Sequence, residues 1–202
     1  MTIRMRVFLL APAAALLVSA CTTGQETDTP APPTAEQTAA AEFNDTDVAF
    51  AQMMIPHHEQ AVEMSHLAVE RAGADVRELA EQIEAAQGPE IEQMNALLEA
   101  WGEEPAGGGH GMSHADHGMP GMMSDEQMTE LRGLQGDAFD TRFLEMMIAH
   151  HEGAVEMAEQ ELADGVNPEA RQLAREIVET QEAEIEQMRG MLETSFPDND
   201  GR

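Results

Sequence analysis

The sequence FAQMMIPHHEQAVEM at residues 50–64 occurs a second time, with few changes, as FLEMMIAHHEGAVEM at residues 143–157. Further along each copy, the sequence EIEQM also occurs twice, at residues 90–94 and at residues 184–188. Self-similarity of this kind is typical of an architecture that uses one structural unit repeatedly. We therefore predict that this chain of 202 residues contains two copies of the same unit.

Each copy predicts two helices joined by a short turn. Apolar residues recur at spacings of three and four, which is the pattern of an amphipathic helix, and no alternating strand pattern occurs. In the first copy we expect helices over residues 46–71 and 75–101, with Asp45 or Thr46 as the first N-cap. In the second copy, Pro168 is expected at the first position of the last helix. The predicted fold is all-α, a ferritin-like four-helix bundle built from two repeated helical hairpins.

Composition divides the chain into segments with different roles. We predict a lipoprotein signal peptide at residues 1–20, a flexible tether at 21–42, hairpin repeat 1 at 43–101, a Gly/His/Met-rich linker at 102–124, hairpin repeat 2 at 125–196 and a tail at 197–202. The tether is rich in Thr, Pro, Ala and Gln without apolar periodicity, and the linker contains too much Gly to hold a helix.

The N-terminus has the composition of an export signal. Arg4 and Arg6 precede an apolar run at residues 7–18 that is short for a transmembrane helix. The run ends in VSAC, which resembles the bacterial lipobox, in which the Cys becomes the lipid-modified first residue of the mature protein. We predict lipidation at Cys21 and an extracytoplasmic protein anchored by lipid to the bacterial cell membrane. The alternative is an ordinary cleaved signal with an incidental Cys.

The charge of the chain excludes some classes of partner. Its formal net charge is −29, with 39 acidic residues and 10 basic residues that are all Arg. A nucleic-acid-binding protein needs a basic surface to replace phosphate counterions, so no nucleic-acid partner is expected. Docking on an anionic membrane through charge is excluded for the same reason. Cations are the partners that such a surface attracts.

Both copies place sulfur and nitrogen donor atoms on one face of their first helix. At 100° per residue, the first His of each copy lies on the core-facing side between Met residues four positions before and seven positions after it, and the second His lies at the border of this face. The candidate metal ligands of the helices are Met53, Met54, His57, His58, Met64, Met146, Met147, His150, His151 and Met157. The linker adds candidates that have no core to fill, namely His110, Met112, His114, His117, Met119, Met122 and Met123.

This combination of donor atoms favours copper. Thioether sulfur is a soft ligand that suits Cu(I), imidazole suits both oxidation states, and copper heads the affinity order of the divalent metals. We predict a copper-binding protein, with Cu(I) favoured over Cu(II), that sequesters the metal or acts as a copper chaperone for metal tolerance. Its partners would be metal ions, together with a copper-transfer protein or a second copy of this chain.

Two alternatives remain open at this point. Met residues on a core stripe commonly serve only for packing, so the protein can be a structural or protein-interaction envelope lipoprotein with packed His pairs. The second alternative is a ferritin-like metal-dependent oxidoreductase, since Glu63-x-x-His66 has the spacing of di-iron helices. Its counterpart is Glu156-x-x-Glu159, however, and Glu63 and His66 are predicted to face outward. No Ser-His-Asp order, phosphate loop or catalytic Cys is visible, so enzymatic activity is not predicted.

The doubled MMIxHHExAVEM signature resembles the DUF305 family, a domain of unknown function with ferritin-like helical packing. The resemblance covers about residues 43–196, and its motif positions are the ten Met and His residues of the two helical clusters. It implies a helical bundle, and it implies copper because envelope members of the family have been linked to copper binding and tolerance. Pro56 of the first copy becomes Ala149 in the second, so the two helices are expected to bend differently.

Overall fold

The computed structural model describes residues 42–105 and 119–195, which contain helices and no strand. In chain order, the helices are α1 (Asp45–Arg71), α2 (Ala74–Trp101), α3 (Asp125–Gly133), α4 (Asp137–Asp164) and α5 (Pro168–Ser195). The all-α prediction is confirmed, and α1–α2 and α4–α5 are the two expected hairpins. The short helix α3 was not expected, because it lies within the segment predicted as hairpin repeat 2 but before the part of it that matches the first copy. The predicted signal peptide, the middle of the linker, the tail and all of the tether except its last residue lie outside the described residues.

The helices begin at residues that satisfy free backbone N–H groups. Asn44 caps α1 with its side-chain oxygen, which accepts hydrogen bonds from the backbone of Thr46 and Asp47, and the Asp47 carboxylate accepts one from the Asn44 N–H. This reciprocal capping box places the cap one residue before the predicted Asp45. The last helix begins at Pro168 as predicted, because the Asn167 side chain accepts hydrogen bonds from the next free N–H groups.

Two Asp side chains join the ends of α1 and α4. Asp47, in the first turn of α1, accepts hydrogen bonds from the N–H groups of Val166 (3.1 Å) and Asn167 (2.8 Å), just beyond the end of α4. At the other end, Asp140 in the first turn of α4 accepts a hydrogen bond of 3.0 Å from the N–H of Gly73, just beyond α1. The start of each helix is therefore fixed at the end of the other, so α1 and α4 run antiparallel.

Asp47 also faces a second buried carboxyl group, that of Glu161 near the end of α4. Burial raises the pKa of Glu161 to about 8, and the adjacent Asp47 carboxylate adds to this effect. Burial acts in the same sense on Asp47, but its hydrogen bonds from the backbone N–H groups of Asn167, Asn44 and Val166 outweigh burial and lower its pKa. The two groups therefore share one proton, held on Glu161, at neutral pH.

The core consists of two apolar clusters at opposite ends of the α1–α4 pair. The Phe50 cluster contains Phe50, Ala51, Met54, Ile55, Met94, Leu97, Leu98, Ala154, Met157, Ala158, Ala170, Leu173, Ala174 and Ile177. The Phe143 cluster is the larger, and its most deeply buried large side chains are Phe139, Phe143, Met64, Leu79, Ile83, Leu131, Leu144, Met146, Met147 and Met188. Full burial of one such side chain contributes about 1.5–3 kcal/mol of hydrophobic stabilisation. The stripes of both hairpins are thus buried against each other.

Helix α3 covers one side of the Phe143 cluster. Ser124 caps it in a capping box with Gln127, and Met128 and Leu131 are its buried residues. Arg132 at its end pairs with Glu63 on α1, which holds α3 against the first hairpin. Within residues 42–105 and 119–195, no helix combines the length and the apolar character needed to cross a membrane.

Candidate metal centre

The first His of each motif meets its counterpart between the two apolar clusters. His57 on α1 and His150 on α4 are fully buried, and their ring centroids lie 3.7 Å apart at an interplanar angle of 36°. The two residues occupy equivalent positions in the repeat, and antiparallel packing of α1 and α4 brings such positions face to face. The structure thus joins two predicted candidates that are 93 positions apart in the sequence.

This His pair is neutral and has ring nitrogens free to bind a ligand. Burial, reinforced by the nearby His58 ring, lowers the pKa of His57 to about 3, and burial lowers the pKa of His150 well below its usual range. The Nε2 of His57 lies 3.0 Å from the Pro120 carbonyl oxygen, which only accepts hydrogen bonds. Nε2 therefore carries the proton, and the buried Nδ1 carries a lone pair without a hydrogen-bond partner. Neither ring nitrogen of His150 has a partner among the described residues.

The second His of each motif donates to a carboxylate of the neighbouring helix. The Nε2 of His58 lies 2.8 Å from Glu90 on α2, and the Nε2 of His151 lies 2.7 Å from Glu184 on α5. Both His side chains are fully buried, whereas the Glu side chains are 15% and 12% exposed. Each Nδ1 again lacks a hydrogen-bond partner among the described residues. An imidazole that donates one N–H to a carboxylate and leaves its other nitrogen open is the usual arrangement of a metal-ligating His.

Each apolar cluster contains predicted Met residues from both hairpins. Met53 and Met54 of α1 share the Phe50 cluster with Met157 of α4, whereas Met146 and Met147 of α4 share the Phe143 cluster with Met64 of α1. Along each helix, the His still lies between its own Met residues, as the helical wheel predicts. The antiparallel crossing adds a contact that the wheel does not specify, because it brings the Met pair of one hairpin together with the later Met of the other. Met53 and Met157 also line one surface cavity of about 170 Å³.

A metal site among the described residues needs donor atoms besides those of His, Cys, Asp and Glu side chains. Within residues 42–105 and 119–195, no group of three or more His, Cys, Asp or Glu side chains is placed to hold a metal ion. A site at the His57–His150 pair would therefore need a Met thioether or a backbone oxygen as a further ligand. The di-iron pattern is absent from the interior of this part of the chain, because Glu63 pairs with Arg132 and His66 pairs with Glu84 at the exposed surface.

The linker candidates divide into two groups. His110, Met112, His114 and His117 lie outside the described residues, as does the predicted lipidation site Cys21. Met119 and Met122 are described and half-buried, whereas Met123 is 6% exposed and belongs to the Phe143 cluster. The expectation that Met123 has no core to fill is therefore wrong, because the end of the linker folds back onto the bundle.

Sequence analysis missed several polar residues around the His pairs. Glu90 and Glu184 looked like part of the solvated acidic faces, yet they hold the second His of each motif. Gln87 and Gln181, one helical turn before these Glu residues, are buried with side-chain amides that have no partner in the described part of the chain. All four occur at equivalent positions of the repeat, offset by 94, and this doubling of polar residues was the available signal.

Solved structures with the same fold include proteins of the DUF305 family. A DUF305 fragment from Deinococcus radiodurans is 37% identical, with a TM-score of 0.67 over 74% of this chain and 96% of that chain. A DUF305 protein from Streptomyces coelicolor, described as secreted, is 35% identical, with a TM-score of 0.66 over 73% of this chain and 91% of that chain.

A third similar protein has been solved with metals. CopM in its Cu(II)-bound form is 34% identical, with a TM-score of 0.64 over 73% of this chain and 96% of that chain. CopM has also been solved in Cu(I)-bound and silver-bound forms. No curated protein sequence matches the chain significantly. The family profile described as "Domain of unknown function (DUF305)" matches residues 47–192. The doubled motif, the helical bundle and this match together establish that the chain belongs to the DUF305 family.

Proposed function

We propose that this protein binds copper outside the cytoplasm, as a sequestering protein or a chaperone that contributes to metal tolerance. The observation that carries the proposal is the buried pair of neutral imidazoles, His57 and His150, which lie between two sets of Met side chains and whose Nδ1 atoms lack hydrogen-bond partners among the described residues. A buried polar atom without a partner costs about 1–3 kcal/mol, and a bound metal ion would recover this cost.

The donor atoms favour copper over other metals. Imidazole nitrogen and thioether sulfur form a soft, neutral ligand set that suits Cu(I), whereas Mg²⁺ and Ca²⁺ require oxygen ligands. The absence of a three-ligand His, Cys, Asp or Glu cluster within the described ranges argues against a structural zinc site there. The likeness to CopM, which has been solved with Cu(I), Cu(II) and silver, supports the same choice.

The remaining parts of the chain extend this proposal. The linker residues His110, Met112, His114, His117, Met119 and Met122 would capture copper at lower affinity than the buried pair. Lipidation at Cys21 would hold the bundle at the outer side of the bacterial cell membrane, with residues 22–42 as a tether. A copper-transfer protein or a second copy of this chain would receive or deliver the metal. The strongly acidic surface would raise the local concentration of cations without selecting copper.

One observation favours the structural alternative, in which the His residues only pack and donate hydrogen bonds. Three of the four buried rings already donate from Nε2, His57 to Pro120 and the other two to Glu90 and Glu184. Hydrogen-bonded core His residues need no metal to be stable. His150 separates the two functions, since neither of its nitrogens has such a bond within the described residues.

Competition for Cu(I) between the protein and a chromogenic chelator tests the proposal. Protein produced from the full-length sequence is compared with the double variant His57→Ala/His150→Ala and with a variant lacking residues 106–118. His66→Ala is the matched control, because His66 lies on α1 but is exposed and pairs with Glu84. We expect the double variant to lose the tightest binding and the control to keep it. If the unmodified protein did not compete with the chelator for Cu(I), copper binding would be refuted. If Cu(I) binding were lost only when the linker is deleted, the buried His pair would serve only for packing.

A further inference from the structure

Residues 119–123, called the strap below, connect the linker to α3 and lie against both central helices. On the α1 side, Pro120 accepts the hydrogen bond from His57. On the α4 side, the strap lies so close to the helix that a Cβ at Gly121 would come within 2.5 Å of the Ala149 carbonyl oxygen and 2.8 Å of the His150 carbonyl oxygen. The strap therefore passes beside the His57–His150 pair and contacts the helix that carries each ring.

Gln60 fixes the strap to α1. Its side-chain amide donates to the Met123 carbonyl oxygen (2.9 Å), and its side-chain oxygen accepts from the Met123 N–H (2.7 Å). Both hydrogen bonds are buried, so neither competes with water. One side chain thus satisfies the donor and the acceptor of a strap residue, as a neighbouring strand would do in a sheet.

Gly153 makes room for the strap on α4. A Cβ at this position would lie 2.1 Å from the Pro120 carbonyl oxygen and 2.6 Å from the Gly121 nitrogen, which are distances that no side chain can adopt. Gly121 in turn has a φ of +74°, which residues other than Gly rarely adopt. Two glycines therefore permit the close backbone contact that keeps Pro120 near His57.

Gln60 and Gly153 occupy the same position of the repeat. Within the run HHExAVEM, this is where the two copies differ, with Gln in the first and Gly in the second. The repeated sequence therefore departs from symmetry at the place where the strap crosses it, and each copy carries the residue that its own side of the strap requires.

We propose that Gln60 and Gly153 are positioning residues of the candidate metal centre. By holding the strap, they keep the Pro120 carbonyl on the Nε2–H of His57, so that this ring presents Nδ1 to the metal. A ligating imidazole held by a hydrogen bond on its other nitrogen has a fixed tautomer and orientation. This inference rests on the proposed copper function for the role of Nδ1, whereas the hydrogen bond itself exists without metal.

The decisive variant is Gly153→Ala, which moves the strap while favouring the helix, since Ala is a better helix former than Gly. Gly190→Ala is the matched control, because a Cβ at Gly190 in α5 meets no atom within 4 Å. Gln60→Ala removes the clamp from the other side. Nitrogen NMR of the metal-free, histidine-labelled proteins identifies which ring nitrogen of His57 carries the proton, and competition with the chelator measures the Cu(I) affinity of the same samples.

We expect His57 to be protonated only at Nε2 in the unmodified protein and in Gly190→Ala. In Gly153→Ala and Gln60→Ala, His57 should exchange between tautomers, and the Cu(I) affinity should fall about tenfold, the lower end of the effect of losing such a partner. An unchanged His57 tautomer in both strap variants would overturn the inference. Absence of Cu(I) binding by the unmodified protein would refute the proposed function alone, because the NMR result on metal-free protein still decides whether the strap positions His57.

Discussion

Replacement of Glu161 by Gln is expected to make the bundle more stable at alkaline pH. Glu161 is buried against Asp47, and its pKa is raised from an ordinary value of 4.5 to about 8. A carboxyl group whose pKa is higher in the folded state than in the unfolded state contributes its full stabilisation of the fold below the unfolded pKa. This contribution is lost as the pH rises through the folded pKa. The loss therefore extends from about pH 4.5 to about pH 8.

The two pKa values give the magnitude. At pH 7, Glu161 is ionised in the unfolded chain but not in the folded protein, and this lowers the free energy of unfolding by about 3 kcal/mol relative to acid pH. Above pH 8, where Glu161 is ionised in both states, the loss reaches about 5 kcal/mol. The side-chain amide that replaces the carboxyl group cannot ionise, yet its NH₂ group can still donate to Asp47. Glu161→Gln should therefore have nearly the wild-type stability at pH 4.5 and exceed it by about 3 kcal/mol at pH 7.

Urea denaturation followed by circular dichroism at pH 4.5, 6, 7 and 8 measures this difference. Other titrating groups, including the buried His residues, contribute equally to both proteins, so the comparison isolates Glu161. Glu159→Gln is the control, because Glu159 is exposed on the same helix and its replacement should change stability little at any pH. A difference between Glu161→Gln and wild type that stays constant from pH 4.5 to pH 8 would refute the shared-proton argument.

Three further predictions concern the core and the His pair. Met54→Ala should lower the free energy of unfolding by about 2–5 kcal/mol in urea denaturation. Met54→Leu should lower it by less than about 1.5 kcal/mol but should weaken Cu(I) binding, because Leu lacks the thioether sulfur. A Leu variant with wild-type Cu(I) affinity would show that Met54 serves only for packing. Lowering the pH from 7 to 5 should destabilise the wild-type protein relative to the His57→Ala/His150→Ala variant by about 2 kcal/mol for each His, because only the unfolded imidazoles become protonated. Glu161 contributes its opposite pH dependence to both proteins, so an equal change in stability in both would contradict the prediction. Asp47→Ala should cost about 3 kcal/mol in the same assay, because it leaves buried N–H groups at the α4–α5 turn without an acceptor; a cost below about 1 kcal/mol would show that these groups find other partners.

The doubled motif was sufficient to predict the two hairpins and the inward position of His57 and His150. A helical wheel specifies which residues share a face, because helix geometry is local. It does not specify which helix covers that face. The pairing of Met53 with Met157 depends on the antiparallel crossing of α1 and α4, and this crossing is fixed by long-range contacts such as those of Asp47 and Asp140.

The acidic residues show a second limit of sequence analysis. Glu90 lies in a run of Glu and Gln residues that is typical of a solvated helix face, and its charge gave no reason to place it beside a buried ring. Its role depends on the distance between α1 and α2 at His58, which propensity does not specify. The position of the strap could not be predicted either, because a Gly-rich linker has no periodicity that would indicate the burial of Met123.

The Gln60–Gly153 difference is possible only because the two hairpins belong to one polypeptide. Two identical hairpins, associating as a homodimer, would carry the same residue at both positions. Two Gln residues would collide with the segment between them, because even a Cβ at residue 153 lies 2.1 Å from Pro120, and two Gly residues would provide no amide to hold it. Covalent joining removes this restriction, because the two positions can then differ and each side of the strap meets the residue that it requires.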